Sequence, residues 1–228
     1  MDEIARAFVT ALRLIFTGDK EVLQIAGRTL AIAFSSMAIA AMLFIPLGSL
    51  IYFHSFWGKR LLVNIIQTLF SLPTVFVGLL VFITLSKSGP LGGLELLFTP
   101  GAMIIGQVIL ISPIITGLTI SSLSGVNQEI RDTAVSLGAT RFQTIKTVML
   151  EARYATVTAV LIGFGRAISE VGSAIIVGGN IKGFTRTLTT AMSLETSTGN
   201  IELSMALGII LISLALMVSI LANRLQQR

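Results

Sequence analysis

The 228-residue chain contains no cysteine and a single histidine, His54. Without cysteine it can form no disulfide, no thiolate metal site and no cysteine nucleophile. A lone histidine has no second histidine or cysteine with which to bind a metal ion, so His54 is predicted to be an ordinary residue of a loop at the membrane interface. The sequence therefore predicts no metal site.

Charged residues are also scarce. They make up 12% of the chain, whereas hydrophobic residues make up 54% and the mean hydropathy is +0.90. A soluble domain normally carries about 25% charged residues, so this composition indicates an integral membrane protein. The net charge of +5 does not indicate nucleic-acid binding, because the basic residues lie mostly at the ends of apolar runs.

Five apolar segments are long enough to cross a bilayer, which requires about 20 helical residues. They are predicted to form five transmembrane helices in one membrane domain, residues 25–228, with no second domain. Turn residues follow the fourth segment, and a polar loop is predicted up to residue 200. The five predicted spans are residues 25–53, 61–85, 101–120, 155–177 and 201–222.

Residues 1–24 form an N-terminal extension with a shorter apolar run, residues 4–16. Within this run Arg6, Thr10 and Arg13 recur at spacings of four and three, so they share one face of a helix. The run is too short to span the membrane, and its acidic start is unlike that of a signal peptide. An amphipathic helix is predicted, either lying in the membrane interface or packed on the bundle.

The second span carries a polar stripe at three- and four-residue steps. Such a stripe is costly against lipid, so it is predicted to face the bundle interior, either as polar contacts between helices or as the wall of a water-filled path. Pro73 is predicted to bend this span. The stripe consists of Asn64, Gln67, Thr68, Ser71, Thr74 and Gly78.

The fourth span carries two charges, Arg166 and Glu170. They are four residues apart, so on a helix they lie on one face and partly neutralise each other. Charges within a membrane suggest a functional site, but an ion pair that anchors the helix explains them equally well. Gly165, Ser169 and Gly172 are predicted to form a small-residue stripe for close helix packing.

One long segment, residues 127–153, is too polar to lie in lipid, and we call it the elbow. Asn127 is predicted to cap a first helix that ends at Gly138, because glycine adopts the left-handed conformation that closes a helix. Thr140 and Gln143 form a capping box that begins a second helix. The elbow is therefore predicted to be a helix–glycine–helix corner between two spans.

The distribution of basic residues predicts the orientation. With five spans, eight basic residues fall on the side of the elbow and the C-terminus, and three fall on the opposite side. The positive-inside rule then places the elbow and the C-terminus in the cytoplasm and the N-terminus outside. If residues 4–16 also spanned the membrane, only the N-terminus would change sides.

The elbow carries a spaced pattern: an acidic residue, Thr-Ala, three residues, Gly, nine residues, then Val-Met-Leu-Glu. The residues concerned are Asp132-Thr133-Ala134, Gly138 and Val148-Met149-Leu150-Glu151. This pattern resembles the coupling loop of the permease subunits of ABC importers, whose signature is E-A-A, three residues, Gly, nine residues and I-x-L-P. Glu151 stands where that family usually has proline, so the resemblance does not predict where the second helix ends.

A second resemblance narrows the branch of the family. The segments GRAISEVGSAIIVGGNI, residues 165–181, and TRTLTTAM, residues 185–192, resemble permeases that import oxyanions. They are most similar to the tungstate branch, with the molybdate and sulfate branches close behind. The resemblance extends from about residue 25 to the C-terminus.

This resemblance implies the partners of the chain. A second copy would complete the translocation path, two cytoplasmic ATPase subunits would hydrolyse ATP, and an extracytoplasmic protein would deliver the oxyanion. The chain itself would be no enzyme and bind no cofactor, because ATP and Mg²⁺ would be held by the ATPase and no phosphate-binding loop is present. Within a coupling loop of residues 124–153, the ATPase-coupling residues would be Glu129, Asp132, Thr133, Ala134, Leu137 and Gly138.

A translocated dianion must be held weakly, or it would not leave. Hydroxyls, amides and backbone donors of broken helices suit this better than a fixed cluster of arginines. The residues expected along the path are Asn64, Thr68, Ser71, Arg166, Ser169, Glu170 and Asn180.

Other functions fit the sequence less well. A secondary transporter driven by an ion gradient would leave the elbow unexplained, and an odd number of spans argues against a plain inverted repeat. A membrane enzyme would need an intramembrane His, Asp and Glu cluster, which the spans lack. Molybdate, sulfate or phosphate are alternatives to tungstate. In each case the chain is expected in the cytoplasmic membrane of a bacterium or archaeon.

Overall fold

The computed structural model describes residues 2–226, which form eleven α-helices and no strand. The all-α prediction is therefore confirmed. Two short 3-10 turns, Leu69–Ser71 and Gly92–Leu94, lie between helices. The helices are α1 (Asp2–Phe16), α2 (Lys20–Phe53), α3 (Lys59–Thr68), α4 (Thr74–Leu85), α5 (Pro100–Ser124), α6 (Gln128–Ser136), α7 (Arg141–Glu151), α8 (Arg153–Ile168), α9 (Gly172–Gly178), α10 (Leu188–Ser197) and α11 (Ile201–Gln226).

Three of these helices, α2, α5 and α11, are long and apolar enough to cross a membrane unbroken. Two bent helix pairs raise the number of spans to five if each pair is taken as one span. Helix α5 is the centre of the bundle: 67% of its apolar window is buried, against 28% for α2 and α11, and it packs against α2, α3, α4, α8 and α9. The outer helices therefore leave most of their apolar surface for lipid.

The second predicted span consists of two helices that meet at a sharp bend. Helix α3 and the following 3-10 turn end at Ser71, and α4 starts at Thr74 at an angle of 97° to them. Pro73 lacks a backbone donor and disfavours helical geometry at Leu72, which is extended with ψ 126°. The predicted bend at Pro73 is confirmed, and it is sharp enough to end one helix and begin another.

The fourth predicted span is also broken. Helix α8 ends at Ile168 and α9 begins at Gly172, so residues 169–171 form a non-helical break within predicted span 155–177. A further bend of 60° separates α7 from α8. The amide of Ser173 at the start of α9 is satisfied by a carboxylate oxygen of Glu170 at 2.9 Å. A side chain therefore replaces the backbone partner lost at the break.

The predicted polar loop after α9 contains a ten-residue helix, α10. The hydroxyl groups of Thr187 and Thr190 form a reciprocal capping box at its start. Thr189 and Thr190 are buried, and the backbone amide of Leu188 donates to the Thr29 hydroxyl of α2 at 2.9 Å. The loop prediction was wrong because these threonines serve as caps and buried donors rather than as solvated turn residues.

The N-terminal extension packs on the bundle, which is one of the two alternatives that the sequence left open. Helix α1 lies against α11 through the fully buried Ala7 and Ala11. The hydroxyl of Thr10 donates to Glu202 of α11 at 2.6 Å. Leu14 packs against the bundle, but most other large apolar side chains of α1 remain outside, and Phe16 is 84% exposed. The first span itself starts at Lys20, five residues earlier than predicted.

Close packing between α4 and α9 rests on a glycine. A Cβ atom at Gly78 would lie 2.9 Å from the Cα atom of Ser173, so any larger residue must push the two helices apart. We expect Gly78→Ala to lower the free energy of unfolding by about 1–3 kcal/mol, a typical cost of overpacking. Gly27→Ala in α2 is the control, because no atom lies within 4 Å of its Cβ position.

The control substitution is expected to be neutral or to stabilise the chain by up to about 1 kcal/mol, the helix propensity of alanine over glycine. Thermal unfolding of both variants in one detergent measures the difference. Equal unfolding temperatures would show that α4 and α9 do not approach as closely as the structure places them.

Candidate functional site

The first helix of the elbow is fixed at both ends by its own residues. The side chain of Asn127 accepts a hydrogen bond from the backbone amide of Glu129 at 3.1 Å and so caps α6. Gly138, two residues after α6, has a left-handed φ of +81°. No atom lies within 4 Å of its Cβ position, so it is backbone conformation rather than crowding that favours glycine here.

The second helix of the elbow begins at the predicted capping box. The amide of Thr140 donates to Oε1 of Gln143 at 2.7 Å, and the amide of Gln143 donates to the Thr140 hydroxyl at 3.4 Å. Helix α7 ends at Glu151, although proline is absent there. The predicted helix–glycine–helix corner is therefore confirmed, and its two helices pack against each other.

Four of the six predicted coupling residues line one groove beside α6, which we call the elbow groove. Leu137 is 83% exposed there, although it is apolar. Asp132 faces elsewhere and accepts a hydrogen bond from Gln128 at 3.0 Å, while Gly138 forms the turn. An exposed apolar groove with a polar rim, here including Glu129, is typical of a protein-docking surface. The groove is lined by Glu129, Ile130, Thr133, Ala134, Leu137, Ala139 and Thr147.

The two charges of the fourth span form an ion pair within the bundle. A guanidinium nitrogen of Arg166 lies 2.9 Å from Oε2 of Glu170, whose side chain is 1% exposed, whereas that of Arg166 is 30% exposed. Oε1 of Glu170 accepts from the amide of Ser173, and its backbone carbonyl accepts from the hydroxyl of Thr189 at 2.7 Å. Glu170 therefore joins α8, α9 and α10, as a structural ion pair would.

The breaks in the second and fourth predicted spans lie side by side. A Cβ atom at Gly172, the first residue of α9, would lie 2.5 Å from the hydroxyl oxygen of Thr74, the first residue of α4. The predicted small-residue stripe contributes only this contact, since Gly165 and Ser169 are exposed. Two helix starts thus meet within the bundle, and the backbone between them is irregular.

The polar stripe of the second span does not face the interior of the chain. Asn64, Thr68 and Ser71 are exposed on the single chain, and so is Gln67. The prediction that this part of the stripe faces the chain's own bundle is wrong, because the bend at Pro73 turns α3 away from the line of α4. This exposed polar face is free to contact a second copy of the chain or to line a water-filled path.

The structure does not bring all the predicted path residues together. Ser169 lies in the break before α9, whereas Asn180 follows α9 at its other end. Asn180 adopts a positive φ of 49°, and its side-chain oxygen is buried without a hydrogen-bond partner. Helix α9 therefore separates these two predicted residues.

Two polar residues that the site prediction missed connect the helices. Gln107 at the centre of α5 donates to the carbonyl of Ala167 at 3.1 Å and accepts from the hydroxyl of Ser36 at 2.9 Å. Arg28 donates to the carbonyls of Arg186 and Gly183 at 2.9 and 2.7 Å, which holds the segment before α10 on α2. The signal for both was a polar residue in or beside an apolar run, which indicates an internal partner.

The bundle of apolar helices and the exposed elbow are what a membrane permease requires. The profile of the family described as "Binding-protein-dependent transport system inner membrane component" matches residues 44–228. The chain belongs to this family and is the permease subunit of an ABC transporter, as the elbow predicts.

The chain is similar to one anion permease and two tungstate permeases. It is 44% identical to a probable anion ABC transporter permease of Haloferax volcanii, over 91% of each chain. It is 39% identical to a tungstate uptake permease, TupB, of Peptoclostridium acidaminophilum, over the full length of both chains. It is 37% identical to TupB of Campylobacter jejuni, covering 100% of this chain and 95% of the relative.

Solved structures show the same fold at lower identity. The methionine transporter MetNI in an inward-facing conformation aligns with a TM-score of 0.71 at 19% identity, covering 93% of this chain and 96% of that one. A bacterial alginate transporter bound to its periplasmic protein aligns with a TM-score of 0.75 at 19% identity, over 97% and 82% of the two chains.

Proposed function

We propose that the chain is the membrane permease of an ATP-driven importer that carries tungstate into the cytoplasm. The observation that carries this proposal is similarity along the whole chain to two tungstate uptake permeases, at 39% and 37% identity. A molybdenum permease of Haemophilus influenzae is 28% identical over 88% of this chain, which makes molybdate the second candidate.

The elbow groove supports the proposed source of energy. Its apolar and acidic lining is exposed on the single chain, so a partner surface can cover it without any rearrangement of α6 or α7. We propose that each copy of the chain binds one cytoplasmic ATPase subunit at this groove, so that the transporter contains two ATPase subunits. ATP and Mg²⁺ bind to those subunits, and the permease contributes motion rather than chemistry. The elbow and the C-terminus then lie in the cytoplasm and the N-terminus outside, in accordance with the positive-inside rule.

The proposed path runs along the exposed polar face of the second span. Hydroxyl and amide groups of Asn64, Thr68 and Ser71 offer weak, neutral hydrogen bonds to a tetrahedral dianion. A second copy of the chain encloses this face, and an extracytoplasmic binding protein delivers the anion. Selectivity among oxyanions then resides mainly in the binding protein.

Uptake by vesicles that contain the permease, its ATPase and its binding protein tests the proposal. Tungstate uptake is expected to require ATP inside the vesicle, and molybdate or sulfate is expected to compete at least ten-fold less effectively, which corresponds to about 1.4 kcal/mol of discrimination. Vesicles without the ATPase are the control. Uptake that follows an ion gradient in that control would identify a secondary transporter. Stronger competition by molybdate would identify molybdate as the substrate.

A further inference from the structure

A second cavity lies at the elbow, and we call it the basic pocket. It has a volume of about 290 Å³. Apolar atoms of Phe53, Val135 and Ile145 line it, together with the side chains of Arg131 and Arg141. One arginine comes from α6 and the other from α7, so any anion between them contacts both helices of the elbow.

Neither arginine has an acidic partner in the part of the chain that the structure describes. The ion pairs among residues 2–226 involve Arg166, Lys182 and Arg186 instead. The side chains of Arg131 and Arg141 also donate no hydrogen bond to any described residue, and both residues are exposed. Two free guanidinium groups beside one cavity favour a phosphate, which each group can bind with paired donors.

The basic pocket lies where two spans leave the apolar layer. Phe53 is the last residue of α2, and it packs with Leu123 in the last turn of α5 and with Val148 of α7. The loop that follows Phe53 exposes Trp57 completely. Tryptophan at such a position is typical of the membrane interface. The pocket therefore adjoins the end of a membrane span, and its apolar wall continues from that span.

The basic pocket and the elbow groove lie on different sides of α6. Among their lining residues they share only Ala139. The groove takes Glu129, Thr133 and Leu137 from α6, whereas the pocket takes Arg131 and Val135. The two sides also differ in charge, since the groove carries an acidic residue and the pocket two basic ones. They therefore fit different partners.

We propose that the basic pocket binds the headgroup of an anionic phospholipid. The lipid phosphate lies between Arg131 and Arg141, and the start of an acyl chain follows Phe53 towards the membrane. Basic pockets between helices at the membrane surface are suited to such headgroups. The bound lipid links α6 to α7 and both to the membrane surface, so it steadies the elbow that the ATPase moves.

Native mass spectrometry of the assembled transporter, purified with its partner subunits, tests this proposal. Phosphatidylglycerol is titrated, and phosphatidylcholine serves as the neutral comparison. The double variant Arg131→Gln/Arg141→Gln is expected to bind phosphatidylglycerol at least five-fold more weakly at its tightest site. The control variant Arg60→Gln/Lys146→Gln loses the same charge from residues that do not line the pocket, and it is expected to bind normally. Excess glycerol phosphate is expected not to compete, because it lacks the acyl chain.

Several results would overturn the proposal. Equal weakening in the control variant would mean a general attraction to the basic surface. Competition by glycerol phosphate would identify a soluble anion as the ligand. Release of the ATPase from the pocket variant, with lipid binding unchanged, would assign the pocket to the ATPase interface. Unfolding temperatures of both variants check that each is folded before the affinities are compared.

Discussion

Replacing Gly138 with valine is expected to reduce tungstate uptake to below a tenth while the permease still reaches the membrane. Gly138 holds a φ of +81°, which a β-branched residue adopts only at a cost of about 1–3 kcal/mol. Relief of that strain changes the angle between α6 and α7, so the elbow groove no longer meets the ATPase in the same orientation. ATP hydrolysis is expected to continue without stimulation by the loaded binding protein.

Two further substitutions test whether the loss of uptake arises from the backbone conformation at position 138. Asparagine tolerates the left-handed region better than other residues with a side chain, and no atom obstructs a Cβ at this position. Gly138→Asn is therefore expected to retain most of the uptake. Gly125→Val, in the same loop but at φ −80°, is expected to be nearly neutral. Normal uptake by Gly138→Val at normal membrane abundance would exclude the elbow as the coupling element.

Replacing Glu170 with alanine is expected to destabilise the chain by about 3 kcal/mol, a typical cost of removing one partner of a buried ion pair. The substitution leaves Arg166 without its carboxylate and the amide of Ser173 without its acceptor. The partial exposure of Arg166 keeps the cost at the lower end of the range. Membrane abundance and the unfolding temperature in detergent measure the loss.

The double variant Arg166→Gln/Glu170→Gln separates stability from transport. It removes both charges but keeps groups that can still hydrogen-bond across the break before α9. Uptake for each folded molecule is expected to stay within two-fold of the original. A drop of ten-fold or more in uptake, at equal abundance, would show instead that Arg166 contacts the translocated anion.

The elbow was predictable from sequence because its signals are local. Asn127 caps a helix two residues from the amide that it binds, and Gly138 needs only its own φ. The capping box of Thr140 and Gln143 spans three residues. None of these features depends on how distant parts of the chain pack, so pattern and structure agree.

The broken fourth span and helix α10 were not predictable in the same way. The break at residues 169–171 is stabilised by Glu170 and by Thr189, which lies 19 residues away. The start of α10 is held by Thr29, 159 residues from Leu188. Hydropathy detects that such a segment is apolar, but it does not reveal where distant side chains replace backbone hydrogen bonds.

The polar stripe shows a second limit of prediction from the sequence of one chain. Its spacing places polar residues on one face of the second span, but it does not state what covers that face. Asn64, Thr68 and Ser71 are exposed on the single chain, so their cover belongs to the assembly. A pattern within one chain cannot distinguish the interior of that chain from a surface shared with a second copy.

The contact between α1 and α11 has a consequence for biosynthesis. Thr10 and Glu202 are 192 residues apart, and ribosomes add about 5–20 residues per second. After its synthesis, α1 therefore waits roughly 10–40 s until α11 has been made. During that interval its alanine face has no partner, while its outer apolar side chains can rest in the headgroup region. The packed position of α1 is therefore reached only after α11 has been made and inserted, so this part of the fold closes last.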